Sequence, residues 1–189
     1  MDLYEAIKKR RTIRKFKAPA TKEQLHRIIA AGIQAPSPGN RQSWEFIIID
    51  DPALIAKISE IKSKLNIGHH FPNMEKYYFP EQITATQAPA QKESFAQASL
   101  VMVYQRKKGR YEWVTAWPCL QNMFLAAVAE GLGSRVATFW AEAVREINDL
   151  LKVPEDFMLA AAVSIGVPAE EPGAKKWRPK ESWLHYNRF

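Results

Sequence analysis

The chain predicts a mixed α/β or α+β layer structure, and three observations carry that prediction. Segments with helical apolar spacing alternate with short, uncharged, β-branched runs. The 189 residues suffice for one domain with a sizeable core. Apolar residues make up 47% and charged residues 25%, the balance of an ordinary globular chain rather than a disordered one.

Residues 2–10 read as a first helix, with Leu3, Ala6 and Ile7 on one face. A second helix starts at Thr21, where Gln24 three residues on completes a capping box. Leu25, Ile28, Ile29 and Gly32 then keep an amphipathic spacing. The run Ala35-Pro36-Ser37-Pro38-Gly39-Asn40 breaks that helix. Residues 44–49 are aromatic and β-branched and read as a strand. Asp51-Pro52 opens a third helix, with proline at its first position.

Residues 66–89 show no clear period and read as a long loop, of the kind that is usually functional. Residues 100–104 form a short central strand. Residues 113–130 are apolar nearly all round and predict a buried helix, stopped by Gly131-Leu132-Gly133. Another helix is expected over 143–151, and a strand buried on both faces over 159–165. The tail after Pro168 is polar, basic and aromatic. The chain is expected to be one domain over 1–189, with 169–189 as a C-terminal extension.

The formal net charge is +7, which raises nucleic acid as a partner. No finger, basic zipper or aromatic RNA-binding motif accompanies it, and the basic residues are spread along the chain. No nucleic-acid partner is expected. The single cysteine, Cys119, excludes a disulfide within the chain and lies in an apolar segment, so it predicts a buried, inert thiol. The longest uncharged run, 113–129, falls short of the ~20 apolar residues of a membrane span. With no signal-peptide core at the N-terminus, a cytoplasmic protein without membrane contact is expected. A Rossmann glycine fingerprint, a phosphate-loop Lys-Ser/Thr, a nucleophile elbow and a metal-spaced histidine set are all missing from the sequence. No metal is expected.

Two basic clusters stand at opposite ends of the chain: Arg10-Arg11-Thr12-Ile13-Arg14-Lys15 and Lys175-Lys176-Trp177-Arg178. Together they suit a compact anion such as a phosphate. Arg gives bidentate hydrogen bonds, Lys a point charge, and Thr12 a further donor. Each cluster alone is as well explained by solvated surface charge.

The order and spacing of four pieces are more specific. Arg10-Arg11-Thr12-x-Arg14-x-Phe16 follows a helix, and Ser37-Pro38-Gly39-Asn40-Arg41-Gln42-Ser43-Trp44 joins a helix to a strand. Gly131-Leu132-Gly133-Ser134 ends the apolar helix, and Lys176-x-Arg178-Pro179 lies near the C-terminus. In this pattern the chain resembles the nitroreductase family of flavoproteins, from Leu3 to about His185.

The resemblance implies an α+β fold in α/β/α layers, with a mixed, mainly antiparallel sheet flanked by helices in an intertwined homodimer. It implies non-covalent FMN at the dimer interface, with NADH or NADPH as donor. Nitroaromatics, quinones or related small molecules would be the acceptors, served in turn by one pocket in a ping-pong exchange. Arg10, Arg11 and Thr12 would begin the phosphate and ribityl site, and Lys176 and Arg178 would complete it. Arg14 would be the cation at the flavin pyrimidine edge. Ser37, Pro38 and Asn40 would come from the partner subunit. Gln91 would face the polar edge of the ring, and the backbone at Thr138 and Phe139 would lie near N5 and O4. No protein side chain need act as a catalytic acid, because the flavin carries the chemistry.

Residues 66–89 would then be an active-site loop, with Phe71, Tyr77 and Tyr78 shaping the acceptor pocket. Two alternatives stay open. One is a specialised flavoenzyme of the same fold, either a flavin-fragmenting enzyme or a reductive dehalogenase with Glu75, Lys76 and Tyr77 in a lid. The other is a non-enzymatic module that binds a polyanion.

Overall fold

Antiparallel pairing around one long strand organises the molecule. The computed structural model describes residues 1–66, 87–107, 114–175, 177–179 and 182–188, and for 64–66 and 87–91 the backbone only. The strands are β1 (Phe16–Pro19), β2 (Trp44–Ile49), β3 (Ser99–Arg106), β4 (Gly133–Ala137) and β5 (Phe157–Pro168). The α-helices are α1 (Leu3–Lys9), α2 (Lys22–Gly32), α3 (Pro52–Asn66), α4 (Gln87–Gln97), α5 (Ala116–Ala129) and α6 (Ala141–Leu151).

β5 pairs antiparallel with β3 on one side and β4 on the other, since Ile165 lies opposite both Ser99 and Ser134. Gly166 likewise lies opposite both Pro19 and Gly133, so β1 continues the β3 side past the end of β3. β2 closes the β3 edge. The order and pairing match the expected α+β, mainly antiparallel sheet.

Strand alternation divides the core in two. Val101, Val103, Ala161, Val163 and Ile165 face α2 and α5, meeting Leu25, Ile28, Cys119, Leu120 and Met123. Leu100, Met102, Tyr104 and Ala162 face the opposite way, meeting Ile58, Ile61, Phe95 and Ile147. Full burial of each such aliphatic side chain contributes ~1.5–3 kcal/mol, so both faces of the sheet are committed to helices.

Several helix ends follow their local chemistry. Thr21 accepts from the Gln24 backbone N–H at 3.2 Å, and the Gln24 side chain accepts from the Thr21 N–H at 3.0 Å. The Asp51 carboxylate accepts from the Ala53 N–H at 2.8 Å in front of α3. At the end of α5, Gly131 takes φ +74°, and the Leu132 N–H reaches the Ala127 carbonyl at 2.8 Å. Arg27 on α2 grips Glu130 through two bonds of 2.8 and 2.7 Å.

Four expectations need correction. Of the described residues in 113–130, Ala116–Ala129 form the α-helix, and it is not buried all round: Trp117 is 45% exposed, and Phe124 and Leu125 are partly exposed. The expected 66–89 loop overlaps α3 at Asn66 and α4 from Gln87 to Pro89. The first helix is shorter, Leu3–Lys9, with Arg10 capping it. The sixth helix begins at Ala141, two residues early. β1, β4 and α4 were not anticipated. β1 and β4 are short and gain their pairing from β5, and of the described α4 side chains only Ser94 and Phe95 are buried.

Candidate functional site

The first basic cluster is folded onto the edge of the sheet by its one apolar member. Ile13 donates its backbone N–H to the Ser134 carbonyl at 3.0 Å, and Thr12 forms a parallel bridge with Ser134. The Ile13 side chain occupies the space a Cβ on Gly133 would need, only 2.6 Å from its Cγ1. A glycine is required there because strand and segment approach so closely. The Glu170 carboxylate accepts from the backbone N–H groups of Arg14 and Lys15, the latter at 3.2 Å.

The second cluster comes back to the first. The Arg11 guanidinium donates to the Gly173 carbonyl. The Lys175 ammonium donates to the Ile7 carbonyl at 3.4 Å and lies 5.4 Å from the centre of the Trp177 ring. Burial, and then the charges of Arg10 and Arg11, hold the Lys175 pKa below its usual value. Like charges from the two chain ends therefore meet in one place. That is the chemistry a phosphate would neutralise.

A second cationic group lies further along β4. Arg135 is only 7% exposed, and its pKa is pulled down to about 10, by burial first and then by Arg14, against the opposing pull of Glu170. Lys62, on α3, donates to the Thr138 carbonyl and sits 4.9 Å from the centre of the Phe139 ring. Burial, and then Arg135, lower its pKa to about 8. Arg14, Arg135 and Lys62 thus form a row running from the N-terminal segment to the turn after β4.

The expected site residues separate into groups. Arg10, Arg11, Thr12 and Arg14 lie together beside β4, with Arg14 exposed and the other three half-buried. Thr138 is exposed and Phe139 half-buried in the turn between β4 and α6. Ser37, Pro38 and Asn40 belong to a loop that bonds within itself: the Ser37 hydroxyl accepts from the Gln42 N–H at 3.1 Å, and the Ser37 carbonyl from the Asn40 N–H at 2.9 Å. Arg178 is exposed, and its carbonyl accepts from the Trp183 indole at 3.4 Å. Gln91 is on α4, with its side chain outside the described residues. Lys176, Phe71, Tyr77 and Tyr78, like Glu75 and Lys76, also lie outside them.

Arg10, Arg11, Lys175 and the Thr12 hydroxyl fit the phosphate end of FMN, and Arg14, Arg135 and Lys62 fit an electron-rich ring. Among the described residues no three His, Cys, Asp or Glu side chains group to hold a metal. None of the described helices is long and apolar enough to cross a membrane. Cys119 is fully buried, and its thiol is pushed up to about 12 by burial, so it is inert, as expected.

Lys62 and Arg135 were missed as site candidates. Lys62 passes for a solvated helix charge, yet it follows Ile58 by four residues and so shares its buried face. That spacing was the available signal. For Arg135 no local signal exists, because its burial depends on β4 pairing with β5.

Comparisons with known proteins place the fold in a family. An iodotyrosine deiodinase from Thermotoga neapolitana is 28% identical over 191 residues, covering 99% of this chain and 98% of that protein. A putative NADH dehydrogenase/NAD(P)H nitroreductase from Archaeoglobus fulgidus is 28% identical over 169 residues, covering 86% and 83%. The crystal structure of an oxidised iodotyrosine deiodinase bound to FMN and 3-iodo-L-tyrosine superposes with a TM-score of 0.81. It is 26% identical and covers all of both chains. The sequence model of the nitroreductase family matches residues 7–167, and the chain belongs to that family of oxidoreductases.

Proposed function

We propose that the protein is an FMN-dependent oxidoreductase that takes electrons from NADH or NADPH and delivers them to a small organic acceptor. The observation that carries this reading is the meeting of Arg10 and Arg11 with Lys175 across the length of the chain. Among the described residues no carboxylate forms an ion pair with these three cations, and one terminal phosphate would neutralise them. Bound FMN would supply the two-electron chemistry, accepting from the nicotinamide and passing on to the acceptor. The protein's residues would hold and bias it. Arg10, Arg11, Lys175 and Thr12 would bind the phosphate and ribityl chain, with Lys176 and Arg178 from the tail. Arg14 would face the pyrimidine edge, and the backbone at Thr138 and Phe139 would meet the opposite polar edge. Gln91 would bond the ring from α4, and Phe71, Tyr77 and Tyr78 would bound the acceptor space.

The working unit would be a homodimer, with Ser37, Pro38 and Asn40 reaching the flavin of the partner subunit. Exposed apolar side chains support this. Leu3 is 60%, Tyr4 78% and Trp117 45% exposed, on α1 and on the α5 that α1 packs against.

A second reading, reductive dehalogenation of a halogenated aromatic, is favoured by the full-length similarity to iodotyrosine deiodinases. One experiment tests both. The purified protein should be yellow and release FMN on denaturation. Anaerobic mixing with NADH or NADPH should bleach it, and re-oxidation by nitroaromatics, quinones and 3-iodotyrosine should then be compared. Colourless protein that takes up no added FMN would refute both readings.

A further inference from the structure

Arg14, Arg135 and Lys62 come from three separate elements, and nothing local forces them into one row. Arg135 shares a strand face with Ala137, whose methyl lies in the core formed with Ile147 and Ala143. Lys62 shares the face of α3 that carries Ile58, which is fully buried. Each cation is held where an apolar residue would cost less. Glu170 offsets Arg135 and also binds the backbone of Arg14 and Lys15. Lys62 has a carbonyl and a ring face as its contacts, and among the described residues no carboxylate pairs with it. A carbonyl dipole and a ring quadrupole orient an ammonium without neutralising it. Its charge is left aimed at the turn at Thr138–Phe139.

We propose that Lys62, with Arg135 beside it, is a positioning residue that supplies fixed positive charge behind the Thr138–Phe139 backbone and favours the FMN ring once reduction has made it anionic. This rests on the reading of that backbone as the polar edge of the flavin site. The balance is simple. The nicotinamide loses a hydride, the ring gains two electrons and one proton, and one negative charge stays on the ring. A fixed cation nearby stabilises that charge and leaves the neutral oxidised ring almost unaffected. Lys62 acts through the turn it holds and need not touch the ring.

The rival account is that Lys62 only ties α3 to the turn. Glutamine keeps an N–H donor for the Thr138 carbonyl and loses the charge, whereas arginine keeps both. Wild type, Lys62→Gln, Lys62→Met and Lys62→Arg should be loaded with FMN. Affinity for oxidised FMN would be measured by fluorescence, and the midpoint potential by redox titration. Lys62→Gln and Lys62→Met should bind oxidised FMN within about threefold of wild type. They should bind reduced FMN about tenfold more weakly relative to oxidised, as one lost charge contact predicts. A tenfold change is ~30 mV to the negative side for a two-electron couple. Lys62→Arg should keep the wild-type potential. Equal potentials in all four FMN-bound proteins, or an equal shift in the Arg and Gln variants, would overturn the proposal and leave the FMN reading standing. A wild type that binds no FMN would overturn both.

Discussion

The segment 10–14 and the loop 37–42 both belong to the proposed flavin site, and the fold treats them in opposite ways. The first is built into the molecule. Ile13 fills the hollow over Gly133, its N–H joins the sheet, and Glu170 holds the next two amides. The second carries several bonds within itself. Its recorded bonds include Ser37 to Asn40, Ser37 to Gln42 and a 3.4 Å contact between the Gln42 and Asn40 side chains. Gly39, Asn40 and Gln42 take φ of +58°, +54° and +48°. A positive φ at a non-glycine residue costs on the order of 1 kcal/mol, so this shape is maintained at some expense. On the proposed reading, one half of the site would be assembled by folding, and the other would be preformed for use against a partner subunit.

The strongest way to break that comparison is to separate the subunits. Trp117→Glu places a charge on the exposed apolar face of α5. Loss of a central interface tryptophan costs ~2–4 kcal/mol, so light scattering should show monomer, and most of the FMN should be released. A flavin-loaded monomer would show that the 37–42 loop is not needed from a second chain. Next in size is the phosphate pole. Arg11→Ala should weaken FMN binding by ~1.5–3 kcal/mol in a fluorescence titration, the range for a hydrogen bond to a charged group. Undiminished affinity would remove the phosphate from this place.

Gly133→Ala sharpens the other side. A new methyl 2.6 Å from Ile13 Cγ1 must push the 10–14 segment off β4. Overpacking of this kind costs ~1–3 kcal/mol, and urea denaturation should record it. FMN affinity should fall with stability, because the same contact sets both. Ser37→Ala, in contrast, should change flavin binding with little change in monomer stability. Arg14→Gln should make the potential of bound FMN more negative by tens of millivolts, ~30 mV for each ~1.4 kcal/mol lost, and by more than Arg41→Gln.

The same contrast explains what was legible in the sequence. Elements coded by short-range chemistry were read almost to the residue: the Thr21–Gln24 capping box, the strand Trp44–Ile49, the Asp51-Pro52 helix start. The 10–14 cluster was legible because its cations are contiguous. β4 was hidden because Arg135 interrupts its apolar pattern, and only pairing with β5 defines it. α4 was hidden because Gln87–Gln97 is mostly polar, with Phe95 its large buried side chain among the described ones. Lys62 was overlooked for a related reason. The contacts that give it meaning, Thr138 and Phe139, are 76 residues away in the chain for the first of them, and no local pattern reaches that far.

The smallest expected effect tests whether Lys62 is held against its own preference. Its pKa is lowered to about 8 in the folded protein, by burial first and by Arg135 second, and an unfolded lysine titrates at ~10.4. Below about pH 8 both states carry the charge, and the folded state bears the full penalty. Between about 8 and ~10.4 the unfolded chain binds more protons than the folded one, so stability rises with pH across that window. Half-buried Lys62 keeps some contact with water, which screens the effect and keeps it small. Cys119 works in the opposite direction: its thiol stays protonated in the fold up to about 12, but ionises near ~8.5 when unfolded, so it lowers stability as pH rises. The raw pH profile therefore mixes both slopes, and near pH 10 Arg135, lowered to about 10 in the fold, adds a rise of its own. The difference between wild type and Lys62→Met cancels Cys119, and below about pH 10, where Arg135 begins to titrate, it reports Lys62. Urea denaturation of the two apoproteins at pH 7, 8, 9 and 10, all ~ values set by these titrations, should show wild type gaining on the variant as pH rises. A difference that stays flat through the window would mean that Lys62 reaches solvent freely, and that the row of cations ends at Arg135.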